Sequence, residues 1–280
     1  MGSFEGKVAF ITGGARGQGR AHAVAFAREG ADIVLCDFFG ELDTIRYPRA
    51  TPDDLEETVR LVEAEDRRCL AAEADVRDLA ALQQLVDRAT AEFGRVDIAC
   101  ANAGVASTSG QAVFEMAEES WRQVLEVDLT GVFNTIRAVG PGMVERRYGR
   151  IIATSSMMGR TGGPHVAGYA AAKWGVIGLV KCAAYDFAPY GVTVNAIAPG
   201  NVDTPMIQNE SIRKLMRPEL DNPTREDAAQ AFQRLHVLPM PWVEPEEISR
   251  AVLFLAAEEA RGISGIVMSI DAGASARVTA

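Results

Sequence analysis

Cysteine, lysine and histidine are all scarce in this chain of 280 residues. Its four cysteines, Cys36, Cys69, Cys100 and Cys182, are widely spaced, form no C-x-x-C pair and have no neighbouring histidine, which argues against a disulfide framework and a zinc site. Buried, reduced thiols are the expected state. The three histidines, His22, His165 and His236, read as structural or exposed, and no metal is expected. Four lysines stand beside 24 arginines, and these 28 cations are outnumbered by 38 Asp and Glu, for a net charge of −10. The basic residues are scattered, so the positive stripe of a nucleic-acid or anionic-membrane binder is missing. No stretch approaches the roughly 18 uncharged apolar residues of a membrane span. Residues 1–7 lead straight into an apolar run, without the segments of a secretory signal. These absences predict a cytoplasmic protein with no nucleic-acid or membrane partner.

What is present is alternation. At 48% hydrophobic and 24% charged residues the composition is that of a globular protein. Short apolar runs recur at 7–12, 32–36, 69–74, 96–100, 150–154, 192–197 and 266–270, as strands buried on both faces require. Amphipathic stretches at 18–29, 53–67, 78–93, 120–147, 167–189 and 244–257 read as the intervening helices. This pattern predicts a single α/β domain over 1–280, with a seven-stranded parallel sheet in a doubly wound (Rossmann) arrangement. Two segments break the rhythm: 38–52, and the proline-rich 201–242 with a possible short helix. Long loops at the carboxyl ends of parallel strands are where ligand covers sit, so both are expected to be covers.

Directly after the first run comes Thr12-Gly13-Gly14-Ala15-Arg16-Gly17-Gln18-Gly19, which opens a helix. Glycines at this point let backbone N–H groups approach a dinucleotide pyrophosphate at a helix N-terminus. Asp37 ends the second run, 18 residues after Gly19, where a carboxylate can bond the adenosine ribose hydroxyls. Arg16 points the other way, toward the 2′-phosphate of NADP. Asp37 would repel that phosphate, and Phe38 brings no second cation, so NAD is the expected cofactor. Asp75-Val76 and Asn102-Ala103-Gly104 follow the third and fourth runs, at the same edge of the sheet. Alone, each of these is a turn or a cap. Together they outline the crevice where a doubly wound sheet binds its ligand.

The fifth run ends at Ser155-Ser156, and Tyr169 and Lys173 stand at i and i+4 near the start of a helix, on one face. The Tyr-x-x-x-Lys spacing alone is moderately specific. Behind a strand-end serine and a phosphate-binding turn it marks a proton-transfer site, because a phenol with a pKa near ~10 becomes a base only beside a cation.

Across its whole length, through Thr12-Gly13, Gly17-x-Gly19, Asn102-Ala103-Gly104, Ser156, Tyr169-x-x-x-Lys173 and Pro199-Gly200, the chain resembles the short-chain dehydrogenase/reductase family. The resemblance implies that Ser156 orients the substrate oxygen and that Tyr169 is the general acid or base. It also implies that Lys173 holds the nicotinamide ribose and lowers the tyrosine pKa. The segment Pro199 to Thr204 would fix the carboxamide through Val202 backbone groups and the Thr204 hydroxyl, next to Gly200. One departure stands out: Asp128 occupies the place of the family's usual asparagine. Its carboxylate can accept a hydrogen bond but cannot donate one unless protonated.

The inserts Asp43 to Leu55 and His236 to Pro245 look like those of the carveol dehydrogenase-like, mycofactocin-coupled branch. That branch implies oxidation of secondary, terpenoid-like alcohols by a tightly retained NAD that passes its electrons to mycofactocin, and the family implies a homotetramer. Met157, Met158, Val105, Met206 and Trp242 are expected to form an apolar wall around the alcohol. Two other readings stay open: an NADP-linked ketone or 3-oxoacyl reductase, and a non-enzymatic dinucleotide-binding redox sensor.

Overall fold

In strand β1 (Val8–Thr12) every residue is buried. Its side chains alternate between two separate cores: Val8 and Phe10 join one apolar cluster, Ala9 and Ile11 the other. Period-two alternation of apolar residues on both faces demands helices above and below the sheet. The computed structural model, which describes residues 2–106 and 111–277, has this form. Strands β2 (Asp32–Asp37), β3 (Cys69–Glu73), β4 (Ile98–Ala101), β5 (Gly149–Thr154), β6 (Val192–Pro199) and β7 (Val267–Ile270) complete a seven-stranded sheet of order β3-β2-β1-β4-β5-β6-β7. All pairings are parallel, with Ala9 opposite both Ile33 and Ile98. Strand order reverses between β1 and β4, which opens a crevice at their carboxyl ends.

Helices α1 (Gly17–Arg28), α2 (Pro52–Glu63) and α9 (Pro245–Ala256) cover one face, where Phe26, Leu55 and Ile248 enter the core. Helices α3 (Leu79–Phe93), α5 (Gly131–Arg146) and α6 (Ala167–Phe187) cover the other with Leu82, Ile136 and Val176. Local signals set the boundaries. Thr51 and Asp54 form a capping box with Pro52 in the first turn, so α2 begins where the first insert ends. Asp78 caps α3, and Gly94 closes it in the left-handed conformation at φ 82°.

Three expectations change. The stretch 120–147 is not one regular helix but α4 (Glu118–Leu125), a π-turn (Glu126–Thr130) and α5. The Gly131 N–H donates to the Glu126 carbonyl, five residues back. Segment 201–242 holds two short helices, α7 (Glu210–Met216) and α8 (Arg225–Gln233), around their own small core of Ile212, Ala228 and Phe232. The cysteines are free, but only Cys36 and Cys100 are buried; Cys69 is half-buried on edge strand β3, and Cys182 is exposed on the outer side of α6. Among the described residues no helix is long and apolar enough to cross a membrane.

Candidate active site

The turn from β1 to α1 is tied to the end of β4. The Thr12 hydroxyl accepts from the amides of Asn102 and Ala103, both at 3.1 Å, and Asn102 Nδ2 donates to the Thr12 carbonyl at 3.0 Å. Gly13 has φ +67°, and a Cβ there would lie 2.8 Å from Ala103 Cα. Only glycine allows β1 and β4 to close in this way. Arg16, the residue before α1, makes no side-chain cap, and the first turn contains no acid. The leading N–H groups of α1 therefore keep their capacity for an anion.

Asp37 stands at the end of β2 as expected. Its carboxylate accepts from the Ala15 amide at 3.0 Å and the Phe38 amide at 2.9 Å. Burial pushes its pKa up, against the pull of these two amides and of Arg16. A single cleft joins Gly13, Arg16, Gly17 and Gln18 to Asp37 and Phe38, and its far wall is Asp75, Val76 and the segment Asn102 to Val105. Gly19 lies just behind this wall, where a Cβ would collide with the Gly13 carbonyl. Asp75 is held by Arg77, whose Nη2 donates at 2.6 Å and whose guanidinium lies 5.5 Å from the centre of the Phe38 ring.

Part of this cleft is built by residues that the motifs did not single out. Leu42, Tyr47, Arg49 and Ala50 of the first insert line it. Three ties hold the insert there: Arg16 Nη2 donates to the Pro48 carbonyl, the Tyr47 hydroxyl accepts from the Ala106 amide at 3.1 Å, and Gln123 Oε1 accepts from the Thr44 amide at 3.2 Å. Each tie joins residues at least 32 positions apart in sequence, so local patterning carries no trace of them.

A second cavity adjoins the first and shares Gln18, Asn102, Gly104, Thr204 and Met206 with it. It brings together Ser156, Tyr169, Lys173 and Asp128. Ser156 follows β5, and its hydroxyl accepts from the Met158 amide at 3.1 Å. Tyr169, in the first turn of α6, lines the same cavity. Lys173, one turn later, donates from Nζ to the Thr154 carbonyl at 3.1 Å and lies 5.5 Å from the centre of the Tyr169 ring.

Asp128 sits in the π-turn, wholly buried. Its Oδ1 accepts from the Val105 amide at 2.8 Å, and its Oδ2 is 3.0 Å from Lys173 Nζ. Burial raises the Asp128 pKa, against Lys173 and the Val105 amide. Burial also pushes the Lys173 ammonium down, but Asp128 and Tyr169 more than reverse that. The Tyr169 phenol is raised chiefly by burial; Lys173 pulls it down, Asp128 pushes it up, and the Ser156 hydroxyl pulls it down further. A phenol set between a hydroxyl and an ammonium is equipped for proton transfer with a small oxygen-bearing substrate.

Pro199, Gly200, Val202 and Thr204 line the same cavity. The Gly200 amide is fixed by the Ile270 carbonyl at 3.0 Å, and Val202 bridges to Val243. Of the expected apolar wall, Met206 lines both cavities and Val105 lines the first. Met157 is buried, Met158 packs with its sulfur 3.8 Å from the Thr161 hydroxyl, and neither lines either of these two cavities. Trp242 also lies elsewhere. It packs edge-on against Phe232 at 6.1 Å under the Arg225 guanidinium, closing the small core beneath α7 and α8. Ile207, not anticipated, takes a place in the wall. His236 braces the second insert: its Nδ1 bonds the Met240 carbonyl at 2.7 Å and its Nε2 meets Asn201 Nδ2 at 3.0 Å.

The short chain dehydrogenase profile matches residues 7–214. The chain is 44% identical to a (−)-trans-carveol dehydrogenase of Rhodococcus erythropolis over 98% of this chain and 99% of the relative. A crystal structure of carveol dehydrogenase from Mycobacterium avium in complex with NAD is similar with a TM-score of 0.97 and 44% identity, over 99% of this chain and 100% of that one. A short chain dehydrogenase from Mycobacterium paratuberculosis bound to NAD is similar with a TM-score of 0.89 and 41% identity, over 98% and 100% of the two chains. With the sheet order, the uncapped glycine turn and the Ser156, Tyr169 and Lys173 constellation, these similarities lead to one conclusion: the chain belongs to the short-chain dehydrogenase family.

Proposed function

We propose that this protein oxidises a secondary alcohol, cyclic and terpenoid-like such as carveol, to the corresponding ketone with NAD as oxidant. The observation that carries the reading is the set of buried Ser156 and Lys173 with half-buried Tyr169, at the end of a cleft whose other end holds the Asp37 carboxylate. The residues present fit the cofactor. The turn at Gly13, Gly17 and Gly19 leaves backbone N–H groups open to a diphosphate. Asp37 spends one hydrogen bond per oxygen on Ala15 and Phe38, so lone pairs remain for ribose hydroxyls. A 2′-phosphate would meet this carboxylate, while Arg16 is already engaged by the Pro48 carbonyl.

Bound NAD supplies the nicotinamide that takes hydride from the carbinol carbon. The chain does the rest. Ser156 holds the alcohol oxygen, and Tyr169 as phenolate takes the hydroxyl proton. Lys173 favours the phenolate and engages the nicotinamide ribose, and Asp128 positions Lys173. Val202 and Thr204 secure the carboxamide end. Met206, Val105 and Ile207 give the pocket its apolar character, which suits a hydrocarbon ring.

Three further parts of the reading have separate support. The first insert, tied down through Thr44, Tyr47 and Pro48, would slow release of NAD; a cofactor so retained would need an external electron acceptor, for which the resemblance of the inserts to the mycofactocin-coupled branch suggests mycofactocin. Trp121, Phe133, Trp174 and Tyr185 are exposed on α4, α5 and α6, which favours burial of these helices in a homotetramer. Free thiols at Cys36 and Cys100 suit the reducing cytoplasm.

The test is the spectrum of purified protein in the reduced-nicotinamide band, before and after a panel of cyclic secondary alcohols, with no cofactor added and then with NAD or NADP. Growth of the band with alcohols and NAD supports the reading. No response to any alcohol, or a response to NADP alone, overturns it.

A further inference from the structure

Charge in the cofactor cleft is nearly balanced by its own residues. Asp37 has Arg16 nearby, and Asp75 is paired with Arg77. Arg49 is the exception. It lines the cleft together with Gly13, Gly17 and Gln18, yet its Nη1 is shut off from solvent and has no hydrogen-bond partner among the described residues. A cation that lines a ligand cleft with no carboxylate paired to it among the described residues is a place for an anion, while Nη1, closed to solvent and without an acceptor, is a costly donor in the empty protein. The backbone on either side is fixed. Tyr47 is bonded to the Ala106 amide, the Pro48 carbonyl is held by Arg16, and Thr51 caps α2 two residues later. The side chain therefore leaves a rigid base, as a preorganised clamp requires.

We propose that Arg49 is a phosphate-binding residue: its guanidinium engages the diphosphate of the bound dinucleotide, which is then held between the amides at the start of α1 and a cation from the insert. Resting on the NAD reading above, this divides the labour of two arginines. Arg16, which the sequence offered only as a partner for an NADP 2′-phosphate, is bonded to the Pro48 carbonyl and fixes the insert, and Arg49 makes the ionic contact. Planar, paired N–H donors suit phosphate oxygens. The same chemistry would also suit a 2′-phosphate, so the experiment separates the two.

Wild type, Arg49→Gln and Arg49→Lys, freed of nucleotide, are titrated calorimetrically with ADP-ribose, 2′-phospho-ADP-ribose and adenosine, and their unliganded melting temperatures are compared. Arg49→Gln is expected to weaken both diphosphates by about tenfold or more and to leave adenosine unchanged, with Arg49→Lys intermediate. Its unliganded melting temperature should equal or exceed that of wild type, because a buried, unpaired donor is gone. ADP-ribose binding within about twofold of wild type overturns the proposal. So does a loss confined to the 2′-phosphorylated ligand, an equal loss for adenosine, or a lowered melting temperature. A wild type that binds no ADP-ribose overturns the NAD reading itself, and the proposal with it.

Discussion

The Asp128 carboxylate stands 3.0 Å from the Lys173 ammonium, and both side chains are buried. This contact sets a negative charge where it opposes the help that Lys173 gives to Tyr169. In Asp128→Asn the amide oxygen can keep the Val105 bond, Lys173 keeps the Thr154 carbonyl, and the opposing charge is gone. Turnover should be at least that of wild type, with the acid limb of kcat/KM against pH moved to lower pH. A large loss in kcat would mean that the carboxylate itself is required.

Burial raises the Tyr169 pKa above that of an ordinary phenol. Alcohol oxidation needs the phenolate, so its rate should climb through the alkaline range, while ketone reduction, which needs the phenol, should not. Tyr169→Phe should lower turnover by about 10²–10⁴-fold with NAD affinity nearly unchanged. Stopped-flow oxidation and a separate NAD titration divide the two effects; equal losses in both would make Tyr169 a binding residue.

Wild-type protein passed through a desalting column should still release NAD(H) when denatured. Tyr47→Phe removes the hydroxyl that accepts the Ala106 amide, a bond worth about 1 kcal/mol, or roughly fivefold in the release rate. A wild-type preparation that is empty and exchanges NAD rapidly would refute slow release.

His22 is buried between α1 and α9, with Nδ1 2.8 Å from the Ser249 hydroxyl and Nε2 without a partner among the described residues. Ser249 gives its proton to the Pro245 carbonyl, so Nδ1 carries the hydrogen. Burial lowers the His22 pKa to about 3, against about 6.5 when unfolded. Between these values the unfolded chain binds more protons, so stability falls as pH falls, by up to roughly 1.4 kcal/mol per unit. Urea melts at pH 7 and pH 4.5 should differ less for His22→Asn than for wild type; identical differences would exonerate His22.

Features written in consecutive residues were legible. The all-apolar β1, the glycine turn, Asp37 at its strand end and the Tyr169 and Lys173 spacing depend on backbone geometry within a few positions. Features made by distant contact were not. The π-turn adds one residue without breaking an apolar pattern, so 120–147 read as a plain helix. Trp242 sits in a proline-rich cover and looked like a pocket wall, but its partner Phe232 belongs to a helix that was only weakly suggested. Tyr47 and Arg49 enter the cleft wall on an insert held by the reach of Arg16 to Pro48, of Tyr47 to Ala106 and of Thr44 to Gln123, and no local rule encodes those reaches.

The π-turn at Glu126–Thr130 also makes the site depend on a residue count. One residue of helix corresponds to about 100° of rotation. Removing a single residue from this stretch would let the backbone relax into regular α-helix, and would swing Asp128 away from Lys173 or Asn134 away from the Val76 carbonyl that it bonds at 2.9 Å. Tolerance here should thus be inverted from the usual pattern: many side-chain changes endured on the solvent side, but no change in length.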